Sequence, residues 1–159
     1  MIQRIQSVYL ALVAVFSILG LCLPIGQFYD GTKNVAEYNN FYMQADKTIE
    51  QASNLGPLAL GILLVLVTLI TMMSIMLFRH RMRQLRLTIF STILLVGYVA
   101  FYAFLTWKYQ MQMAELVPTA TYHFCFAALL PVLSIILNCL AIHGIRKDEA
   151  LVRSLDRLR

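Results

Sequence analysis

The chain alternates between long apolar stretches and shorter polar ones. Four stretches contain no Asp, Glu, Lys or Arg, and they cover residues 8–27, 57–78, 87–107 and 122–142. Each has about the 20 residues that an α-helix needs to cross a hydrocarbon core of roughly 30 Å. Because lipid offers no hydrogen-bond partners, backbone groups must pair within each segment, which favours helices. The pattern predicts an all-α membrane protein with four transmembrane helices in an antiparallel bundle.

Residues at the ends of these stretches predict where the helices begin and end. Ser53 or Asn54 is placed to cap the second helix, and Pro57 suits its first turn, where no backbone donor is needed. The first helix is expected to end near Pro24. Pro131 falls inside the fourth stretch, where a proline removes one backbone hydrogen bond and predicts a kink.

The connection between the first two helices, residues 28–56, is the longest in the chain. Asp30 and Gly31 form a turn dipeptide between two short segments and predict a small β-hairpin. Residues 44–51, later in the connection, are compatible with a short helix. We expect this loop to be open to aqueous reagents, for example at Asn40.

Composition agrees with lipid as the solvent for much of the surface. The 159 residues are 60% hydrophobic and only 13% charged, whereas soluble domains are typically about 25% charged. The mean hydropathy is +0.71. So few charges cannot build a water-soluble surface, and the length fits a single domain over residues 1–159.

Basic residues are concentrated on one side of the four predicted helices. Because basic loops stay in the cytoplasm during membrane insertion, both termini are predicted to be cytoplasmic and residues 28–56 to lie outside. The cytoplasmic set is Arg4, Arg79, Arg81, Arg83, Arg86, Arg146, Lys147, Arg153, Arg157 and Arg159, and the outer set is Lys33, Lys47 and Lys108.

The segment after the fourth stretch predicts a short C-terminal cytoplasmic amphipathic helix. At 100° per residue its two faces are Leu151, Leu155 and Leu158 on one side and Arg146, Arg153 and Arg157 on the other. These are candidate docking residues. The leucine face would meet lipid headgroups, the protein's own loop of residues 79–86, or another protein, and the arginine face suits anionic lipid or an acidic partner. A solvated helix end is the alternative interpretation.

Both ends of the chain carry a family resemblance. The N-terminal sequence MIQRIQ and the segments around Pro131 and Asn138 that lead into RKDEALVRSLDRLR resemble a bacterial family of small four-span proteins. That family is described as a domain of unknown function. The resemblance implies a place in the bacterial inner membrane and implies no activity, catalytic residue or cofactor.

No arrangement of residues predicts catalysis, a cofactor or a metal site. The four stretches contain no acid, and Asp148, Glu149 and Asp156 are placed on a surface helix, so paired carboxylates for acid–base chemistry are not expected. The motifs G-x-S-x-G and H-E-x-x-H are absent. His80 and His143 alone have matching depths, and they lie outside the apolar zone, so interfacial polar side chains are favoured over haem ligands.

The three cysteines are interpreted as small packing residues. Cys22 and Cys125 lie near the outer ends of the first and fourth stretches, which permits a disulfide on an oxidising side and leaves their pairing open. Neither they nor Cys139 belong to a C-x-x-C motif, which disfavours a thiol-redox enzyme.

Ser134 and Asn138 are the candidate polar contacts of the fourth helix. They belong to a stripe of small and polar residues, spaced at three and four, that allows another helix to approach closely. Asn138 either locks helices together or lines a path, and interhelical packing is the favoured interpretation.

Three function classes remain, of which a non-catalytic membrane protein fits best. It would be an accessory or scaffold subunit of a membrane complex that docks through its C-terminal helix. The alternative is a small transporter or channel, which ordinarily places an ionisable residue in a span. A membrane enzyme is not expected, nor is a nucleic acid partner. The expected partners are the lipid bilayer and, at the C-terminal helix, a membrane protein or anionic lipid.

Overall fold

The computed structural model describes residues 2–45, 55–77 and 80–157. In this part of the chain, long α-helices pack together and a small antiparallel sheet lies at one end of them. The helices are α1 (Ile2–Cys22), α2 (Leu55–Met76), α3 (Arg81–Leu116) and α4 (Leu130–Arg157). The strands are β1 (Gly26–Asp30), β2 (Lys33–Tyr38), β3 (Met43–Ala45) and β4 (Thr121–Phe124). We call the helix ends that carry the sheet the outer end, and the opposite ends the inner end.

The helices bury the side chains on the faces that meet and expose large apolar side chains on their other faces. α1 packs against α2 and α4, and α3 packs against the same two helices. Buried positions recur every three or four residues; in α2 they are Pro57, Leu60, Gly61, Leu64, Val67, Thr71 and Ser74. Leu69, Ile93 and Ile136 point away from the other helices and are 57%, 62% and 53% exposed. An apolar exterior of this kind suits lipid as solvent.

All four helices are long and apolar enough to cross a membrane, which indicates a membrane protein and confirms the prediction of four long apolar helices.

The first and last residues of the helices differ from the prediction. α1 begins at Ile2 and ends at Cys22, not at residue 27. α3 has 36 residues, and at 1.5 Å per residue it is about 54 Å long, beyond a hydrocarbon core of about 30 Å. The predicted range 87–107 covers only the middle of α3, because the polar residues on either side of the apolar stretch also belong to the helix.

The start of α4 contradicts the predicted kink. The fourth helix was expected over residues 122–142, but it begins at Leu130, so Pro131 is its second residue. Backbone nitrogens in a first turn have no helical acceptor, and a proline there removes no helical hydrogen bond. Tyr122 belongs to β4, and Phe126–Leu129 form a 3₁₀ turn that leads into α4. The kink prediction is wrong because Pro131 lies in the first turn of α4.

The all-α prediction is also wrong, because the two outer connections form one sheet with strand order β3-β2-β1-β4. The predicted hairpin at Asp30 and Gly31 is confirmed, since β1 pairs with β2 and Gly31 has a φ of 60°, a conformation that favours glycine. β4, from the connection between α3 and α4, pairs antiparallel with β1. The sheet therefore fastens the two outer connections to each other.

The rest of the first connection was predicted less well. β3 pairs with β2, so the helix expected over residues 44–51 does not form at Gln44 and Ala45. The remainder of that range lies outside the described residues, as do the proposed caps Ser53 and Asn54.

The C-terminal end of α4 differs from the predicted separate amphipathic helix. α4 runs without interruption from Leu130 to Arg157, with no proline after its second residue. Because nothing in this segment breaks the helix, residues 143–157 continue the apolar part of α4 in one piece.

Candidate functional site

A buried hydrogen-bond network joins the sheet to the helices at the outer end. Asn40 lies in the turn between β2 and β3 and is completely buried, so its expected exposure is wrong. Its Nδ2 donates to the carbonyl oxygen of Gly20 in α1. Its Oδ1 accepts a hydrogen bond from the hydroxyl of Tyr98 in α3, at 2.6 Å. One turn residue thus connects two helices with the sheet.

The chemistry of Pro24 explains why Gly20 needs this partner. A helical carbonyl ordinarily accepts a hydrogen bond from the N–H four residues later. For Gly20 that residue is Pro24, which has no N–H. An unpaired carbonyl in an apolar surrounding costs several kcal/mol. The side chain of Asn40 supplies the missing donor, and the spacing of Gly20 and Pro24 is a sequence signal of that need.

Tyrosines complete the outer network. The hydroxyl of Tyr102 donates to the carbonyl oxygen of Ile25 at 3.2 Å and lies 2.7 Å from the hydroxyl of Tyr122 in β4. Tyr38 stacks on Tyr102 with ring centroids 6.2 Å apart and meets Tyr109 edge-on at 5.3 Å. Burial raises the pKa of Tyr38 and that of Tyr122 above the ordinary tyrosine value, which itself lies above physiological pH, so both hydroxyls stay neutral. A neutral, interlocked cluster of this kind fixes the sheet in place.

Two glycines allow the close approach of sheet and helices. A Cβ on Gly61 of α2 would lie 2.6 Å from the ring of Phe41 and 2.7 Å from the carbonyl oxygen of Asn40. A Cβ on Gly26 of β1 would overlap the ring and hydroxyl of Tyr122. Both positions therefore require glycine for packing.

A second polar cluster links α2, α3 and α4 near the middle of the helices. Asn138 Nδ2 donates to Ser91 Oγ at 3.4 Å, and Ser91 Oγ lies 3.2 Å from Thr71 Oγ1. Ser134, the other candidate polar contact, donates to the carbonyl oxygen of Leu130 within α4. Asn138 thus makes a contact between helices, whereas the hydrogen bond of Ser134 stays within its own helix.

Replacing Asn138 by Leu is expected to lower the free energy of unfolding by about 1 kcal/mol or less, because interhelical hydrogen bonds in membranes are worth about 0.6 kcal/mol on average. Titration of the purified protein with SDS in mixed micelles, followed by circular dichroism, measures this change. Cys139→Leu alters the exposed neighbouring position and should leave unfolding unchanged. A much larger loss in Asn138→Leu would contradict the packing interpretation.

A third buried contact joins α1 to α4 near the inner end, and we call it the inner latch. Gln6 Nε2 donates to Asp148 Oδ2 at 2.8 Å, and each of these residues is only 6% exposed. A Cβ on Gly144 would lie 3.0 Å from Gln6 Cγ, so the glycine lets α1 approach closely. The prediction that Asp148 lies on a surface helix is wrong, because the beginning of α1 covers it.

The inner latch connects the two ends of the chain, whose sequences carry the family resemblance. The family model of a domain of unknown function, DUF4293, matches residues 2–158. The chain belongs to the DUF4293 family. The resemblance is therefore confirmed, and the family description names no activity. A comparison with curated proteins gives no match.

In the DUF4293 structure, the predicted docking residues lie on the inner part of α4. Arg146 is exposed, and Leu158 lies outside the described residues. The last turns of α4 contain the remaining four positions, which are Leu151, Arg153, Leu155 and Arg157. Position 155 is seven residues after Asp148 and so falls on nearly the same helical face, the one that meets α1.

The cysteines of the DUF4293 chain are free thiols, so the permitted disulfide between Cys22 and Cys125 does not form here. Burial, and to a lesser degree the nearby Glu37, raises the pKa of Cys125 and keeps its thiol protonated. His80 and His143 are both exposed at the inner end.

Proposed function

We propose that this DUF4293 protein is a non-catalytic accessory or scaffold subunit of the bacterial inner membrane, which docks a partner on the inner part of α4. The observation that carries the proposal is the unbroken course of α4 from its apolar part to Arg157. A spanning helix that continues beyond the membrane gives a partner an attachment point in a fixed position. Exposed Arg146 and Lys147 provide charge at its base.

Charge supports an orientation with both termini in the cytoplasm. Arg83 and Arg86 in the first turns of α3 are exposed at the same end as Arg146 and Lys147. Basic segments are retained in the cytoplasm during insertion. The inner end then faces the cytoplasm, and the sheet lies on the opposite side of the membrane.

Cysteine labelling in intact cells tests this orientation. Asn34 in β2 and Ala150 in α4 are both exposed, so each accepts a cysteine in a variant whose native cysteines are replaced by alanine. A membrane-impermeant maleimide should label Asn34→Cys and should reach Ala150→Cys only after the cells are opened. The reverse pattern would overturn the orientation. Asn40 is unsuitable as a labelling site because it is buried.

Partner recovery after mild solubilisation tests the docking function. Deleting residues 150–159 retains the inner latch and removes the end of α4, and Leu155→Glu places a charge in the predicted leucine face. Both changes should abolish recovery of the partner and leave the amount of membrane-inserted protein unchanged. Ala150→Glu adds the same charge at a position that is already exposed, and it should retain the partner.

The outcomes of this comparison separate docking from a solvated helix end. Selective loss in the deletion and in Leu155→Glu supports the proposal, because burying one leucine is worth about 1.5 to 3 kcal/mol. The docking proposal would be contradicted if all variants and the parent protein recovered the partner equally. It would also be contradicted if the parent protein purified alone and monodisperse.

A small transporter or channel is the second candidate function, and one observation favours it. Asn138 Oδ1 and Ser17 Oγ are buried and have no hydrogen-bond partner among the described residues. Unpaired polar atoms are costly in an apolar interior, and polar groups within spans often line a transport path. Transport that is abolished by Asn138→Leu, with folding intact, would favour this candidate over the docking subunit.

A further inference from the structure

Hydrogen bonds between α2 and α3 show which residues of these two antiparallel helices lie at the same level. Two pairs of side-chain oxygens, 3.1 Å and 3.2 Å apart, set the register, and they are Ser74 with Thr88 and Thr71 with Ser91. Each residue outward along α2 is therefore matched by one residue outward along α3. Continued inward, this register places Met76 opposite Arg86. Continued outward, it places Leu55 opposite Trp107.

The same register defines the layer that the two helices cross. Residues 87–107 contain no Asp, Glu, Lys or Arg and measure about 32 Å at 1.5 Å per residue. This length matches a hydrocarbon core of about 30 Å. Trp107 is 59% exposed and Lys108 follows it, as is typical of the boundary between lipid and water. We call the part of the structure between the levels of Arg86 and Trp107 the apolar layer.

α4 begins inside the apolar layer and not at its outer surface. Asn138 Nδ2 donates to Ser91 Oγ, so these two residues lie at one level. The first residue of α4, Leu130, is eight residues outward from Asn138. On α3, Trp107 is sixteen residues outward from Ser91. The difference of eight residues places the start of α4 about 12 Å below the outer surface of the layer.

The end of α1 and the turn between β2 and β3 also lie inside the apolar layer. The side chain of Asn40 in this turn bonds to Gly20 of α1 and to Tyr98 of α3. Tyr98 is nine residues, or about 13 Å, inward from Trp107. A Cβ on Gly61 would lie against the carbonyl oxygen of Asn40, and Gly61 is six residues, or about 9 Å, inward from the start of α2. α1 ends only two residues after Gly20.

The lower edge of the sheet occupies the level that α1 and α4 do not reach. Gly26 of β1 is aligned there with Tyr38 of β2 and Phe124 of β4. We call residues 23–26, 38–43 and 124–129 the foot of the sheet. None of them is charged. Large apolar side chains of the foot are 39% to 72% exposed, and they are Phe41, Tyr42, Phe124, Phe126 and Leu129.

Hydrogen bonding in the foot agrees with a site that water does not reach. Non-helical backbone is tolerated at membrane depth only where protein or trapped water pairs its polar groups. The N–H of Ile25 donates to the carbonyl oxygen of Tyr38 at 2.9 Å, and the carbonyl oxygen of Ile25 accepts from Tyr102 at 3.2 Å. The helical carbonyl that Pro24 leaves unpaired receives a donor from Asn40. Solvent would satisfy that carbonyl in an aqueous loop.

We propose that the foot of the sheet is inserted into the bilayer, where its exposed aromatic side chains contact the acyl chains of phospholipids in the leaflet at the outer end. β-Structure then completes the crossing beside α1 and α4, and only the far end of the sheet, around Gly31, stands in water. The inference depends neither on the proposed docking function nor on which side of the membrane the sheet faces.

Spin labels in a reconstituted phospholipid bilayer test the insertion. In the cysteine-free protein, Tyr42→Cys and Phe124→Cys are compared with two exposed controls, Asn34→Cys at the far end of the sheet and Ile93→Cys in α3. The ratio of collisions with oxygen to collisions with a water-soluble nickel complex should be severalfold higher at both foot positions than at Asn34→Cys, and close to that at Ile93→Cys.

Two other outcomes would overturn the proposal. A collision ratio equal to that of Asn34→Cys would show that the foot stands in water. Labels at both foot positions that collide with neither reagent would show that a second copy of the chain or another protein covers the foot.

Tryptophan variants repeat the measurement with an aromatic ring retained at each foot position, and they decide the matter if a labelled variant does not fold. Trp107→Phe removes the single tryptophan of the chain, and Tyr42→Trp, Phe124→Trp or the control Asn34→Trp is then added. Phospholipids brominated on their acyl chains should quench the fluorescence of both foot variants severalfold more than that of the control, and aqueous acrylamide should quench the control most. Equal quenching of all three variants by acrylamide, with none by bromine, would contradict insertion.

Discussion

Replacing Asn40 by Ala should lower the free energy of unfolding by about 2 to 6 kcal/mol, more than Asn138→Leu does, because each buried polar group left without a partner costs about 1 to 3 kcal/mol. Two groups lose their partner, the carbonyl of Gly20 and the hydroxyl of Tyr98. The carbonyl has no alternative donor along the chain, because Pro24 lacks an N–H. Unfolding by SDS in mixed micelles measures the loss.

Asn39→Ala is the matched control, since Asn39 precedes Asn40 in the same turn. Asn39 is only partly buried, and its side-chain contact with Glu37 is 3.5 Å long. Its removal should cost well under about 1 kcal/mol, as for most surface substitutions. If the two alanine variants unfold at the same SDS concentration, Asn40 is not the residue that holds the turn on the helices.

Opposite effects are expected from alanine at two helical glycines. At Gly61 a Cβ would lie 2.7 Å from the backbone oxygen of Asn40, which cannot move without the turn. Gly61→Ala should therefore destabilise the protein by about 1 to 3 kcal/mol, as overpacking usually does. At Gly97 nothing lies within 4 Å of the added Cβ, and alanine in a helix is favoured over glycine by about 0.5 to 1 kcal/mol.

Thermal unfolding in detergent measures both glycine variants in one series. The midpoint should fall for Gly61→Ala and should rise or stay unchanged for Gly97→Ala. A rise for both would mean that the turn moves away freely and that helix propensity dominates. In that case the close packing at Gly61 does not hold the sheet in place.

Features that depend on neighbouring residues along the chain were predictable. A run of apolar residues and the demand for internal hydrogen bonding predict the helices without knowledge of their neighbours. The turn at Asp30 and Gly31 is equally local, because only glycine adopts its positive φ easily. The ends of the helices were less predictable. The hydropathy of the sequence falls where a helix leaves its apolar stretch, whereas the helical backbone of α3 continues past both ends of that stretch.

Features that depend on distant residues were missed. β4 contains Tyr122 and Phe124, which extend the apolar run before α4, and only pairing with β1 makes this segment a strand. From sequence alone Asn40 is expected to be a polar loop residue, because nothing in the sequence shows that it lies beside the carbonyl of Gly20, to which it donates a hydrogen bond. Asp148 is likewise expected to lie on the surface, because nothing in the sequence shows that α1 packs against it. In each case the partner is set by tertiary structure and not by sequence spacing.

The contact between Gln6 and Asp148 also constrains how the protein is made. Its two residues are 142 positions apart in the chain. At a synthesis rate of about 5 to 20 residues per second, the beginning of α1 waits on the order of ten seconds for its partner on α4. During that time β1 lacks β4 as well, and an unpaired strand edge invites association with other chains. A ribosome that stops before Thr121 therefore releases a product with an open strand edge and a first helix that lacks α4, the kind of surface that chaperones recognise.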